Sequence, residues 1–495
     1  MSTFISLRNS FVKHNSRPAF CIDQVYYSYD ELLKVINTIR EKIREVVSGE
    51  DKIVGLIAND DIQTYASILA LWFEGKAYVP ITTITPPDRC KSIIEQSGIN
   101  FILDSSETNF LPGYKTIETK KLTAQNTNTD CVAAHDSDIA YILFTSGTSG
   151  IPKGVPITRA NVNAFVASFH HMNIHLTEQD RCLQMFELTF DVSVMSYLIP
   201  LLSGACVYTI PKDKIKYEYI FQLMDEKQLT CTLMVPTVIQ YLRPYFNEID
   251  CPSLRYSLFA GEALGEDVIR EWSACVPNAT IMNNYGPTEN TIICTQYDYV
   301  RNGDNKSSHG FLPIGKPMWG NDIVIMNENN EILPAGEKGE MCLAGPQLTV
   351  GYWRNEEKNK TSFVNLMHEG ELKRFYRTGD LCFFYDDGNI MYSGRIDFQA
   401  KIQGFRVELA EVEHHVKQFM KKTNVVAIAF KNSMANTELG LVIEAEPLNK
   451  EPLIGYLKTK IPAYMIPTQY RFCNPFPLGS SGKTDRNKLA QLFIK

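Results

Sequence analysis

The chain reads as an α/β protein: parallel sheets covered by helices, then a β-rich stretch, then a small α+β domain. Three observations predict this. From about residue 51, short β-rich runs alternate with longer amphipathic ones. Between about 311 and 393 the texture changes to short runs broken by Gly, Pro and Asp-Gly turns, as in PAGEKGE (334–340) and DDGN (386–389). After Arg395, helix and strand patterns return. Strands alternating with helices imply parallel sheets buried on both faces, and a turn-rich β segment implies a separate small sheet.

The alternation begins with KIVGLIAN (52–59) as a strand, residues 62–75 as a helix and AYVPI (77–81) as a strand. The rhythm returns at 139–144, 158–171, 230–235, 238–246, 256–260 and 279–285. Residues 408–420, 453–460 and 485–493 read as helices, and 425–430 and 439–445 as strands. A boundary is expected near Gly394–Asp397. It separates a core, residues 1–394, of two doubly wound α/β subdomains plus the small β-rich one, from an α+β domain, residues 395–495.

At 495 residues the chain is too long for one compact core. Its 44% hydrophobic and 21% charged residues are those of an ordinary globular protein. A net charge of −7 argues against a nucleic-acid binder. The twelve cysteines are scattered without a C-x-x-C pair, which suits small buried hydrophobes of a reducing compartment. The N-terminus MSTFISLRNSFVKHNSR lacks an uninterrupted apolar core and a small-residue cleavage site. Residues 188–202, the most apolar stretch, carry Asp191 and Pro200 and are too short for a membrane span. A cytoplasmic enzyme is expected.

Ligands of parallel α/β sheets sit beyond the carboxyl ends of the strands. Two motifs fall at such ends. FTSGTSGIPKG (144–154) packs three glycines and four hydroxyl residues into eleven positions. Such a loop presents backbone N–H groups and hydroxyls to an anion, and Lys153 adds positive charge. It is not the common nucleotide loop, because no Ser or Thr follows the lysine. NNYGPTEN (283–290) offers Tyr285 as an aromatic face, Gly286-Pro287 as a turn, Thr288 as a hydroxyl and Glu289 as a hard oxygen ligand for Mg²⁺. In YRTGDL (376–381), Asp380 follows a Thr-Gly turn and is placed to accept from vicinal hydroxyls.

Together these segments resemble the adenylate-forming superfamily of acyl-CoA synthetases, peptide-synthetase adenylation domains and luciferases. The likeness extends to YYSYDELL (26–33), ILALWFEGKAYVPI (68–81), FDVSVM (190–195), GEMCLAGPQLTVGYW (339–353), GRIDFQAKIQGFRVELAEVE (394–413), IPAYMIP (461–467) and PLGSSGKTDRNKL (477–489). Ser149 stands where the loop usually has Thr, and Ala410 where Gly is common. The resemblance implies an ATP site made by Thr145, Ser146, Gly147, Thr148, Lys153, Asn283, Tyr285, Gly286, Thr288, Asp380, Arg395 and Lys483. In it Tyr285 stacks on adenine, Asp380 and Arg395 hold the ribose, Thr288 contacts the α-phosphate and Glu289 holds Mg²⁺. Lys483 bridges the substrate carboxylate and the phosphate. The C-terminal domain is implied to be a mobile lid that turns about Asp397 and brings the segment of Lys401 into play for the later thiol-accepting step.

Asp191 stands where amino-acid-activating members keep a carboxylate for the substrate's ammonium group. Burying it in an apolar pocket calls for a cationic partner; capping the helix that follows it is the structural alternative. The corresponding pocket positions are Asp191, Val192, Met195, Leu233, Leu258, Ala260, Asn284, Ile292, Ile293 and Lys483. Between the charged anchors only Asn284 is polar, so a small to medium apolar side chain is expected. The pattern resembles prolyl adenylation pockets, and L-proline is the expected substrate. The alternative is D-alanine, because FAGEAL (259–264), QGFRVELAEVEHHV (403–416) and IPAYMIP also resemble free-standing D-alanine–carrier protein ligases. Those typically place Cys where this chain has Ala260. A non-catalytic adenylate sensor would be expected to have lost Lys483 or Glu289, and both are present. With the chain ending soon after Lys483, the expected thiol acceptor is a separate carrier protein bearing a phosphopantetheine arm.

Overall fold

The computed structural model describes residues 2–123, 130–147, 150–397, 399–421, 423–478 and 484–493. Its contacts divide the chain into two compact units. The first comprises 1–83, 96–143 and 154–396; the second comprises 84–95, 144–153 and 397–495.

Two large sheets organise the first unit. A six-stranded sheet runs in the order Lys115–Glu118, Phe101–Asp104, Ile53–Ile57, Ala77–Ile81, Ile139–Thr145, Lys153–Thr158. A nine-stranded sheet runs Lys316–Pro317, Thr295–Asp298, Thr280–Tyr285, Tyr256–Phe259, Cys231–Met234, Arg181–Gln184, Cys206–Thr209, Pro18–Ile22, Val25–Ser28. Its central pairings are parallel, and the strands at each end are antiparallel. Strands buried on both faces need apolar residues at every position, which is why AYVPI carries no alternation. The helices obey local rules. Ser28 and Glu31 close a reciprocal capping box on Tyr29–Val46. Ile62–Phe73, capped by Asp61, is apolar nearly all round and almost wholly buried.

The β-rich part is a five-stranded sheet, ordered Asp322–Met326, Gly339–Ala344, Glu371–Phe384, Phe363–His368, with Ile390–Arg395 also paired to Glu371–Phe384. It begins later than the turn-rich texture suggests. Lys316–Pro317 pairs instead with Thr295–Asp298 of the nine-stranded sheet. There Gly315 lies so close that a Cβ would fall 1.8 Å from the Gln296 carbonyl oxygen. The hairpin Pro18–Ser28 also escapes the alternation pattern. Its turn residues Asp23 and Gln24 both have positive φ (47° and 65°), the geometry of a tight hairpin reached here without glycine.

The second unit contains a three-stranded sheet of Val425–Lys431, Thr437–Ile443 and Gln469–Phe472. Leu409–Met420 and Glu451–Lys458 contribute to its apolar core. A short hairpin, Gln399–Ile402 with Phe405–Glu408, turns through Gln403-Gly404. No described helix is long and apolar enough to cross a membrane.

Candidate active site

In the first unit, three adjacent parallel strands deliver four of the ten expected pocket residues, Leu233, Leu258, Ala260 and Asn284. Leu233 and Leu258 are register partners, as are Leu258 and Met282. Ala260 and Asn284 lie two residues further along their chains, so the period of two keeps them on the same face. Met195, Ile292 and Ile293 belong to the same buried cluster, with Val192 packed against it. Gly286 is obligatory: a Cβ there would meet the Ile292 carbonyl oxygen at 2.4 Å and the Ile293 Cα at 2.5 Å. Asn284 donates from Nδ2 to the Phe259 carbonyl at 3.3 Å. Its Oδ1 is buried with no partner among the described residues.

Asp191 is 5% exposed and precedes the helix Val192–Ser203 without capping it. Its Oδ2 instead accepts from the Ile292 N–H at 3.2 Å. Burial raises its pKa to about 7, opposed by hydrogen bonds from the Ile292 and Val192 N–H groups and the Thr288 hydroxyl, and reinforced by the negative charge of Glu289. The cation expected beside it is not among these contacts. Neutral donors stand there, and burial shifts the balance toward the protonated carboxyl.

Glu289 is fully buried, with Oε1 accepting from the Tyr352 hydroxyl at 2.6 Å. Tyr352 lies 3.2 Å, hydroxyl to hydroxyl, from Tyr376. The sequence reading missed both tyrosines, although the VGYW segment lies within a quoted motif. A buried carboxylate is a hard oxygen ligand of the kind Mg²⁺ takes, and Glu289 is the residue that would hold it. By contrast, Asp322 and Glu369, which cluster with His368, already share the Lys373 ammonium at 2.9 and 3.0 Å.

The nucleoside candidates converge on strand pairing. Asp380 and Arg395 are cross-strand partners, joined by an Arg395 Nη1 to Asp380 Oδ1 bond of 2.6 Å. The Tyr285 hydroxyl donates to the other oxygen of Asp380. Asn283 donates from Nδ2 to the Pro313 carbonyl at 2.8 Å, and its buried Oδ1 has no partner among the described residues. That spare acceptor fits an amino group such as adenine carries.

The second unit holds the Gly/Ser/Thr loop. The Thr145 hydroxyl donates to the Lys153 carbonyl at 3.5 Å. The Gly147 N–H donates to Glu411 Oε2 at 3.1 Å and Lys153 Nζ to Glu408 Oε1 at 3.2 Å. The Ser146 hydroxyl bonds the Arg406 carbonyl at 3.0 Å and accepts from the Glu408 N–H at 3.2 Å. A Cβ on Gly147 would fall 2.0 Å from the Ile151 carbonyl oxygen. Two of the donors, the Gly147 N–H and the Lys153 ammonium, thus meet carboxylates, while the Thr145 and Ser146 hydroxyls donate to backbone carbonyls. Lys401 lies on Gln399–Ile402 opposite Arg406, and Asp397 Oδ1 accepts from the Gln399 N–H at 3.2 Å. Thr148, Ser149 and Lys483 lie outside the described residues.

Tyrocidine synthase 3 of Brevibacillus parabrevis is 32% identical over 487 residues, 96% of this chain and 7% of that protein. The chain spans less than half the length of the curated relatives it matches. The Vibrio cholerae adenylation domain AlmE, solved with glycyl-adenosine-5'-phosphate, superposes with a TM-score of 0.87 at 24% identity, over 99% of this chain and 97% of that one. PA1221, a protein with adenylation and PCP domains, superposes at 0.85 with 23% identity, over 99% of this chain and 84% of that one. These two share the fold, including the large α/β part, the β-rich sheet and the small C-terminal domain. The model of the AMP-binding enzymes matches residues 7–353, and the chain belongs to that family of adenylate-forming ligases.

Proposed function

We propose that this chain activates a small apolar amino acid, L-proline by preference, as its adenylate and passes it to the phosphopantetheine thiol of a separate carrier protein. The observation that carries the reading is Asp191, a buried carboxyl held by the Ile292 N–H beside an otherwise apolar set of side chains. An ammonium is the group such a carboxylate recognises. A fatty or aryl acid offers it no cation.

In the first half-reaction a carboxylate oxygen of the amino acid attacks the α-phosphorus of ATP, and the bond to pyrophosphate breaks. Asp191 orients the amino acid through its ammonium, the Thr288 hydroxyl meets the α-phosphate, and Lys483 bridges both reactants. Glu289 would hold Mg²⁺, which would supply charge neutralisation for the phosphates. Catalysis of this kind is mostly positioning and electrostatics. Tyr285, Asn283 and the Asp380–Arg395 pair hold the nucleoside, and residues 145–153 hold its phosphates. In the second half-reaction the carrier thiol attacks the acyl carbon, loses its proton and expels AMP, with Asp397 as hinge and Lys401 on the element then in use. Support for a carrier comes from PA1221, which joins adenylation to PCP domains. AlmE, solved with glycyl-adenosine-5'-phosphate, supports a small amino acid.

The test is ATP–pyrophosphate exchange driven by each common amino acid, with D-alanine and glycine included. It is followed by loading of coenzyme A against candidate carriers. Exchange led by proline is expected. Exchange led by an aromatic, charged or fatty acid, or efficient acylation of coenzyme A with every carrier unloaded, refutes the reading.

A further inference from the structure

The loop from Gly286 to Ile293 takes a backbone path its own residues disfavour. Thr291 and Ile292 are both β-branched, yet their φ angles are 50° and 76°. L-residues with branched Cβ atoms avoid this left-handed region, and such strain persists only where surroundings over-determine it.

Gln347 does so here. Its side chain is 1% exposed, and Nε2 donates to the carbonyls of Ile293 at 2.9 Å, Thr291 at 3.2 Å and Asn290 at 3.3 Å. Its Oε1 accepts from Asn321 Nδ2 at 2.8 Å, and Asn321 Oδ1 accepts in turn from Asn290 Nδ2 at 2.8 Å. The Thr291 hydroxyl donates to the Gln347 backbone carbonyl at 2.5 Å. Both ends of one carboxamide are therefore engaged with the strained loop, directly or through Asn321. The consequence lies one residue away, where the Ile292 N–H points at Asp191. The same segment also reaches Glu289: the Thr349 N–H donates to its carbonyl at 2.8 Å, and Tyr352 to its carboxylate.

We infer that Gln347 is a positioning residue for the substrate's ammonium group: its carboxamide holds Thr291 and Ile292 left-handed, and that backbone turns the Ile292 N–H onto the Asp191 carboxylate. The inference rests on the amino-acid reading above. No other side chain of this size does the same. Methionine fills the space but donates nothing, and glutamate turns acceptor oxygens toward three carbonyls.

Gln347→Met and Gln347→Glu test it, with two readouts. One is amide exchange of the peptide spanning 286–295 in ligand-free protein. The other is pyrophosphate exchange resolved into KM for amino acid, KM for ATP and kcat. Both variants are expected to exchange faster over 286–295 and to raise the amino-acid KM on the order of tenfold, with the ATP KM within about twofold. Adding Thr291→Gly to Gln347→Met should recover much of the lost affinity, because glycine adopts positive φ freely. A residue that only filled space would not be rescued by a glycine that relaxes the φ of position 291. Should Gln347→Met fail to fold, Asn321→Ser leaves the glutamine in place but removes its orienting amide, and a milder form of the same split is expected. Unchanged amide exchange and KM, or parallel loss of ATP and amino-acid affinity without rescue, overturns the inference. If the peptide responds as stated while no amino acid supports exchange in the unmutated enzyme, the substrate class is wrong and the hold of Gln347 on the loop stands.

Discussion

A carboxyl whose pKa lies at about 7 in the ligand-free protein is only half ionised at neutral pH. A zwitterionic amino acid needs the ionised form, so protonation of Asp191 competes with substrate. Its KM is therefore expected to fall about tenfold between pH 6 and pH 8 and then level, since each pH unit below the pKa costs about a factor of ten. Substrate ammonium groups stay protonated over that window. Asp191→Asn removes the titration and the charge together. Hydrogen bonds to charged groups are worth about 1.5–3 kcal/mol, so the amino-acid KM should rise about ten- to hundredfold and lose its slope with pH. The assay is pyrophosphate exchange at saturating ATP across pH 6–8.5, with the asparagine variant controlling for titration of ATP itself. The same shift predicts stability. Because folding raises this pKa from the ordinary 3.8, the contribution of Asp191 is favourable below that value and is lost as pH rises through 7. The loss is on the order of 4 kcal/mol at pH 8 for so buried a group. Asp191→Asn should therefore raise Tm more at pH 8 than at pH 5. A wild-type KM flat with pH, or a slope that survives in Asp191→Asn, refutes the reasoning.

Three further outcomes are expected. Tyr352→Phe deletes the hydroxyl that donates to Glu289. It should lower kcat about tenfold and shift the Mg²⁺ dependence while sparing the amino-acid KM, as magnesium titration of the exchange rate will show. Gly147→Ala places a Cβ against the Ile151 carbonyl. Forcing the loop to rearrange should weaken ATP use on the order of a hundredfold, read as kcat/KM for ATP. Asp397→Pro removes dihedral freedom at the expected hinge and should impair thioester transfer more than adenylation. Equal loss of both half-reactions in a folded protein would count against it.

The sequence by itself determined the alternating α/β elements and the chemical inventory, though not the Pro18–Ser28 hairpin or the partner of Lys316–Pro317. Alternating β-rich and amphipathic runs are local signals, and so are the caps at Ser28 and Asp61 and the glycines of 144–154. Each is written within a few residues of where it acts. The apolar face of Leu233, Leu258 and Ala260 was legible through the family pattern alone, because strand periodicity does not say which strands adjoin. Asp380 and Arg395 were named separately, and strand pairing made them partners. The tertiary structure alone decided the state of Asp191 and the parts played by Gln347 and Tyr352. Ile292 meets Asp191 across 101 residues of chain, Gln347 meets Thr291 across 56, and Tyr352 meets Glu289 across 63. A carboxyl's charge depends on the water removed from around it, and a glutamine's role on the carbonyls brought to it. Those surroundings exist only once distant segments pack together.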